Sequence, residues 1–150
     1  MGLLSKLKKT ITGSWADVSL SASPAQRGET ITFTVDVAVQ SDPIEIDKVY
    51  IKLRCREAID IPRYYSAQLD DRSYIHVEKH HDFFTQELTL GMAQKMAANQ
   101  SYSFSGSAEI PSNLPPSMTG KYSRTEWEAL AGLDMKGNDP DSGWVTLVVR

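Results

Sequence analysis

Residues 101–117 read SYSFSGSAEIPSNLPPS, and the fold turns on this stretch. Tyr102, Phe104, Gly106, Ala108 and Ile110 alternate with polar neighbours, the two-residue period of a strand with one face towards a core. Three prolines follow at once, Pro111, Pro115 and Pro116. Proline has no N–H to give to a ladder, so the sheet must end there or lie at an edge. The residue before each proline is also pushed towards extended geometry. A strand that stops this hard and continues as a stiff extended segment predicts a crossing from one sheet to another.

Working outward, the same alternation recurs. Ile31, Phe33, Val35, Val37 and Val39 alternate with polar or small residues, and Val18, Leu20 and Ala22 form a weaker strand before them. Gly28 supplies the turn between, since it takes positive φ without steric cost. In residues 43–55, PIEIDKVYIKLRC, Ile44 and Ile46 share one phase, while Val49, Ile51, Leu53 and Cys55 share the other. The phase breaks at Asp47 and Lys48, which predicts a bulge or a bend between sheets. Further strands are read around Ile75 and Val77, at Phe84–Leu90, at Trp127–Met135 and at Val145–Val149. Two short helices fit the pattern, one in Gly91–Gln100 and one near the N-terminus, where Leu3, Leu4, Leu7 and Ile11 share a helical face. Glu57–Arg72 reads as a long connection carrying Tyr64 and Tyr65. Many short strands and little helix predict an all-β sandwich of two antiparallel sheets. Phe33, Val35, Val37, Leu53, Phe104 and Leu147 are expected in one core.

The chain has 150 residues, a net charge of −3 and a pI near 5.6. That is one domain's length, enough to bury a core without metal or disulfide. We divide it into an N-terminal amphipathic segment, 1–13, and a single domain, 14–150. The acidic balance argues against nucleic acid, whose backbone calls for a basic patch. No apolar run reaches the ~20 residues of a membrane span. The opening residues lack the apolar stretch of a secretory signal, so a cytoplasmic protein is expected.

Residues 88–117, LTLGMAQKMAANQSYSFSGSAEIPSNLPPS, resemble the arrestin-fold signature: a strand, a tight turn, an alternating aromatic strand, then the proline stretch. Asn99 stands where that family commonly has a turn glycine, and asparagine tolerates left-handed geometry. Residues 25–35 resemble the family's P-G-E turn and following strand through Gly28, Glu29, Ile31 and Val35, with Arg27 in place of the proline. Residues 132–149 resemble the end of the first lobe in the bacterial sporulation-control family, through Leu133, Asp134, Met135, Lys136, Asp139, Pro140 and Asp141. The resemblance implies an arrestin-like, immunoglobulin-like β-sandwich and a non-catalytic adaptor or regulatory module that binds other proteins. Such lobes usually come in tandem, so the flank of this one is expected to be covered by a second copy, most simply in a dimer.

Tyr50, Phe83 and Trp144 fall outside the core phase. With Tyr64 and Tyr65 they are the residues expected to bind a protein partner. Leu3, Leu4, Lys6, Leu7, Lys8 and Lys9 suit docking or weak contact with an anionic membrane surface. Three other clusters read more simply as structure. His76 and His80 share a strand face near His81 and Asp82, but i and i+4 on a strand lie ~13 Å apart, too far for one ion. Asp134, Asn138, Asp139 and Asp141 are what a turn wants, and their spacing does not fit a calcium loop. Cys55 lies on an inward phase, the place of an inert buried thiol. We therefore expect no catalysis, cofactor or metal. The rival readings are a small enzyme with a loop-built site near His80, His81 and Asp139, and a ligand-binding sandwich using the Tyr64–Tyr65 loop.

Overall fold

The structure is a computed structural model and describes residues 15–65 and 74–150, with the backbone alone described at Tyr64 and Tyr65. The described chain forms β1 (Ala16–Ala22), β2 (Thr30–Val39), β3 (Ile44–Ile46), β4 (Lys48–Tyr65) and β5 (Tyr74–Gly91). It continues with β6 (Gln94–Met96), β7 (Ser101–Glu109), β8 (Met118–Thr119), β9 (Ser123–Asp134) and β10 (Val145–Leu147). None of the described residues is helical. A small sheet has the order β1-β2-β7 and a large one the order β10-β9-β4-β5, with β8 also pairing β9. A third, two-stranded piece joins β3 to β6. All strand pairs are antiparallel.

The alternation read from the sequence becomes the core. Ile31, Phe33, Val35, Val37 and Val39 from β2 meet Val49, Ile51, Leu53 and Cys55 from β4 and Trp127, Ala129, Ala131 and Leu133 from β9, all buried in one cluster. Two sheets that each present one apolar face hide both faces by stacking. Phe104 departs from expectation: it is only half-buried against this cluster. Its strand, β7, is the edge of the small sheet, where among the described residues one flank has no strand neighbour.

The proline stretch crosses between sheets as predicted. Ile110 ends the small sheet, accepting from the Gly28 N–H and donating to the Glu29 carbonyl. Seven residues on, the Ser117 N–H donates to the Val149 carbonyl beside the large sheet. The Pro115 carbonyl accepts from Trp127 Nε1 at 2.9 Å, so the buried indole nitrogen is satisfied by the crossover itself. The phase break is also a change of sheet: Ile44 and Ile46 lie in the β3–β6 pair, and at Asp47 the N–H turns to the Asp134 carbonyl. Asn99 has φ 58° and Gly28 φ 81°, the left-handed turns expected of them.

Three expectations are corrected. Gly91–Gln100 holds no helix; it contains β6, where Met96 pairs with Ile44 and is fully buried. A segment of one to three turns has too few hydrogen bonds to offset helix nucleation, and pairing buries its methionine instead. The strands read near Ile75 and at Phe84–Leu90 are one strand of 18 residues, β5, with a register shift opposite the Cys55–Arg56 step of β4. The supposed connection from Glu57 is strand as far as Tyr65, and Tyr64 pairs with Ile75. The N-terminal segment, with Leu3, Leu4, Lys6, Leu7, Lys8 and Lys9, lies outside the described residues.

Candidate protein-binding surface

The outer face of the large sheet is built from the outward phase of β4. Lys48, Lys52, Arg54 and Arg56 project there, and acids on both neighbouring strands meet them. Lys48 Nζ lies 2.6 Å from Glu87 on β5, and Arg56 Nε lies 2.6 Å from Asp82 on the same strand. Arg54 reaches Glu128 on β9 at 2.7 Å. The Asp82 carboxyl is held below its ordinary range, chiefly by its hydrogen bond from Arg56. Lys52 differs: among the described residues it makes no ion pair, and its ammonium lies over the Tyr50 ring, 5.4 Å from the centroid.

Trp144 completes this face. The segment between β9 and β10 doubles back alongside β9, with the Leu133 N–H donating to the Pro140 carbonyl and the Ser142 N–H to the Ala131 carbonyl. That return sets the indole on the Arg54 guanidinium, 3.6 Å from its ring centroid. Such stacking is a cation–π contact that also fixes the ring. The indole stays 40% exposed. Lys52, Arg54, Asp82, Thr85, Glu87 and Trp144 line an open groove of about 340 Å³.

The expected surface aromatics separate. Trp144 and Phe83, 42% exposed, stand at the surface. Phe83 sits at the register shift of β5 and meets the His81 ring edge-on at 5.5 Å. Tyr50 does not stand free: only 8% of it is exposed. It points outward as its phase demands, but it pairs with Gly132, and its ring covers the space where a side chain would be. Lys48 and Lys52 flank it. Burial, then the charges of Asp139 and Asp141, hold the phenol's pKa above its ordinary value. Tyr50 therefore braces the floor of this face. The side chains of Tyr64 and Tyr65 lie outside the described residues.

The other clusters resolve locally. His76 Nε2 lies 2.5 Å from Asp60 Oδ1 across the β4–β5 ladder. Asp139 accepts from the Met135 N–H and Asp141 from the Gly143 N–H, so these carboxylates close turns. His81 pairs with Glu57, whereas Asp139 acts on Tyr50, seven residues back along β4. At about 3.3 Å per residue the two ends are roughly 23 Å apart, so the structure does not bring His80, His81 and Asp139 together. Cys55 is buried, and desolvation pushes its thiol up to about 11, which keeps it protonated and unreactive. Sequence reasoning missed Arg54 and Lys52. The signal was present in the basic residues at 48, 52, 54 and 56, all on one phase of β4.

A three-stranded antiparallel sheet stacked on a larger one, joined by a proline crossover, is the architecture of an arrestin-type lobe. Residues 20–147 match the family described as arrestin (or S-antigen), N-terminal domain, and the chain belongs to that family. No curated protein sequence matches it. Among solved structures it is similar to Spo0M, a sporulation control protein from Bacillus subtilis, with TM-score 0.63 and 18% identity. That likeness covers 91% of this chain and 50% of the other, so the chain spans half the length of that relative. A family 123 glycoside hydrolase from Clostridium perfringens is more remote, with TM-score 0.45 and 7% identity over 90% of this chain and 27% of that one. Nothing about activity follows from a likeness that low.

Proposed function

We propose that the chain is a non-catalytic regulatory module of the arrestin-like, sporulation-control type, acting in the cytoplasm through contacts with other proteins. The observation that carries this reading is the Trp144–Arg54 stack in its open groove. Tryptophan and arginine are the residues that most often dominate protein interfaces. Here the indole is held in place before any partner arrives, which lowers the ordering cost of binding. Lys52 beside it offers a charge not committed to an acid within the described chain, suited to an acidic group on the partner. The family membership and the likeness to a sporulation control protein support the same reading. A free, buried Cys55 fits a reducing compartment.

The test compares wild type with Trp144→Ala as immobilised baits. Each retained protein is then purified and titrated calorimetrically against both forms. The proposal expects at least one partner that binds wild type and loses ten-fold or more in affinity to the variant. Equal binding by both forms rejects the groove as the contact.

A further inference from the structure

The outer edge of β5 is a second surface, independent of the groove. Among the described residues β5 ends the large sheet and no strand pairs with it on the side away from β4. Near Leu88 and Leu90 the flank packs against the core. From Ile75 to Phe83 it is bare, with every residue exposed except the half-buried Val77. Over part of this length, among the described residues, β4 also loses its other strand neighbour: its ladder with β9 ends at Ile59 and Ser123, followed only by the Asp60 N–H donating to the Tyr122 carbonyl. The hairpin beyond is a two-stranded ribbon whose free edge presents unmatched N–H and C=O groups, a template for another strand.

We propose that a second copy of this chain occupies that edge, pairing β5 with β5 antiparallel about a two-fold axis centred on Lys79. This rests on the reading of the chain as a protein-binding module and names one partner, the chain itself. The register follows from the residues. An axis normal to the sheet keeps like faces together, so odd positions meet odd and even meet even. Centring on Lys79 sets His76 against Asp82 of the second copy and Glu78 against His80 of the second copy, each twice by symmetry. The same register brings Ile75 opposite Phe83 of the second copy, the residue at the register shift of β5.

Neighbouring registers do worse. Centring on Glu78 opposes that carboxylate to itself, and centring on His80 opposes Glu78 to the second copy's Asp82. Centring on Val77 or His81 leaves Ile75 or Phe83 facing a lysine. The cost of the chosen register is Lys79 opposite its own copy, and those long side chains splay into solvent. The donors suffice. His76 uses Nε2 on Asp60, leaving its other ring nitrogen. A carboxylate has about four acceptor sites, so Asp82 can hold both Arg56 and an incoming imidazole.

Cysteine scanning tests the register. In the full chain, Lys79→Cys is expected to form a disulfide-linked species of twice 16.7 kDa on mild oxidation, because opposed Cβ atoms lie about 5 Å apart. Gln86→Cys, on the same strand, is expected to associate without cross-linking and to run at 16.7 kDa on a denaturing, non-reducing gel. Light scattering supplies the second arm: Glu78→Lys is expected to weaken association ten-fold or more, and Glu78→Lys with His80→Glu to restore it. All these side chains are exposed, and circular dichroism checks that each variant folds. A wild type that stays at 16.7 kDa at every micromolar concentration overturns the proposal, as does equal cross-linking at 79 and 86 or a double swap that fails to rescue. A monomer that still loses partners on Trp144→Ala would reject the self-pairing alone and leave the binding module standing.

Discussion

The two halves of the β4–β5 hairpin make an instructive pair. Both halves of β4 alternate: Val49, Ile51, Leu53 and Cys55 in the first, Glu57, Ile59 and Ile61 in the second. In the first half the inward residues are at most 1% exposed. In the second, Ile59 and Ile61 are half-buried, and across the ladder Ile75 is 41% exposed. None of these three joins the core cluster. The pattern of residues is alike; the neighbours are not. The first half has the small sheet against its inward face, and among the described residues the second runs on past the end of the core. Burial is thus set by what stacks on a strand, and alternation only prepares a face for it.

The largest effect that would test this contrast is at Leu53. Leu53→Ala should destabilise the fold by about 2–5 kcal/mol, since it leaves a cavity in a packed layer. Guanidinium unfolding measures it, and a loss under ~1 kcal/mol would mean the first half is not the rigid part. Next comes Gly132, where a Cβ would sit 2.4 Å from the Tyr50 hydroxyl oxygen and 2.5 Å from its ring. Gly132→Ala must displace that ring and should cost about 1–3 kcal/mol. The NMR resonances of the Tyr50 ring would report the same displacement, and an unshifted melting temperature would show that the ring moves freely.

Asp82 lies near the junction of the two halves. Its pKa is depressed, so its ion pair stabilises the fold above the ordinary value of 3.8 and is lost as the pH falls through the lower folded value. The pair is partly exposed, so its worth is under ~1 kcal/mol. Asp82→Asn should therefore be less stable than wild type at neutral pH, with the difference closing below about pH 4; a gap that persists in acid would assign the loss to packing. The smallest effect belongs to the second half. In dilute solution, Ile75→Ser should change stability by no more than ~0.5 kcal/mol. A loss comparable to that of Leu53→Ala would erase the distinction between the halves.

The legible parts of the sequence were those governed by local chemistry. Alternation marked β2, β7 and β9 because a strand buried on one face needs period two. The prolines marked the crossover because they cannot donate to a ladder. Asn99 and Gly28 marked left-handed turns because few other residues tolerate them. The phase break at Asp47 marked a change of sheet, although residues alone left bulge and bend equal.

Other features depended on where strands lie in space. The length of β4 and β5 was hidden because Pro62 and the paired aromatics Tyr64 and Tyr65 look like a loop, yet a two-stranded ribbon accepts them. Tyr50 looked like a surface anchor because its phase is outward; only the pairing with Gly132 shows that it fills a gap left by a missing side chain. The Arg54–Trp144 stack joins residues ninety positions apart, and no local pattern could connect them. The sequence by itself determined the strands that carry an unbroken apolar period, β2, β7 and β9, and the turns at Gly28, Asn99 and the prolines, since those choices follow from backbone sterics and side-chain period. Only the tertiary structure decided which outward residues are covered and which are left to meet a partner, because coverage depends on distant strands brought alongside.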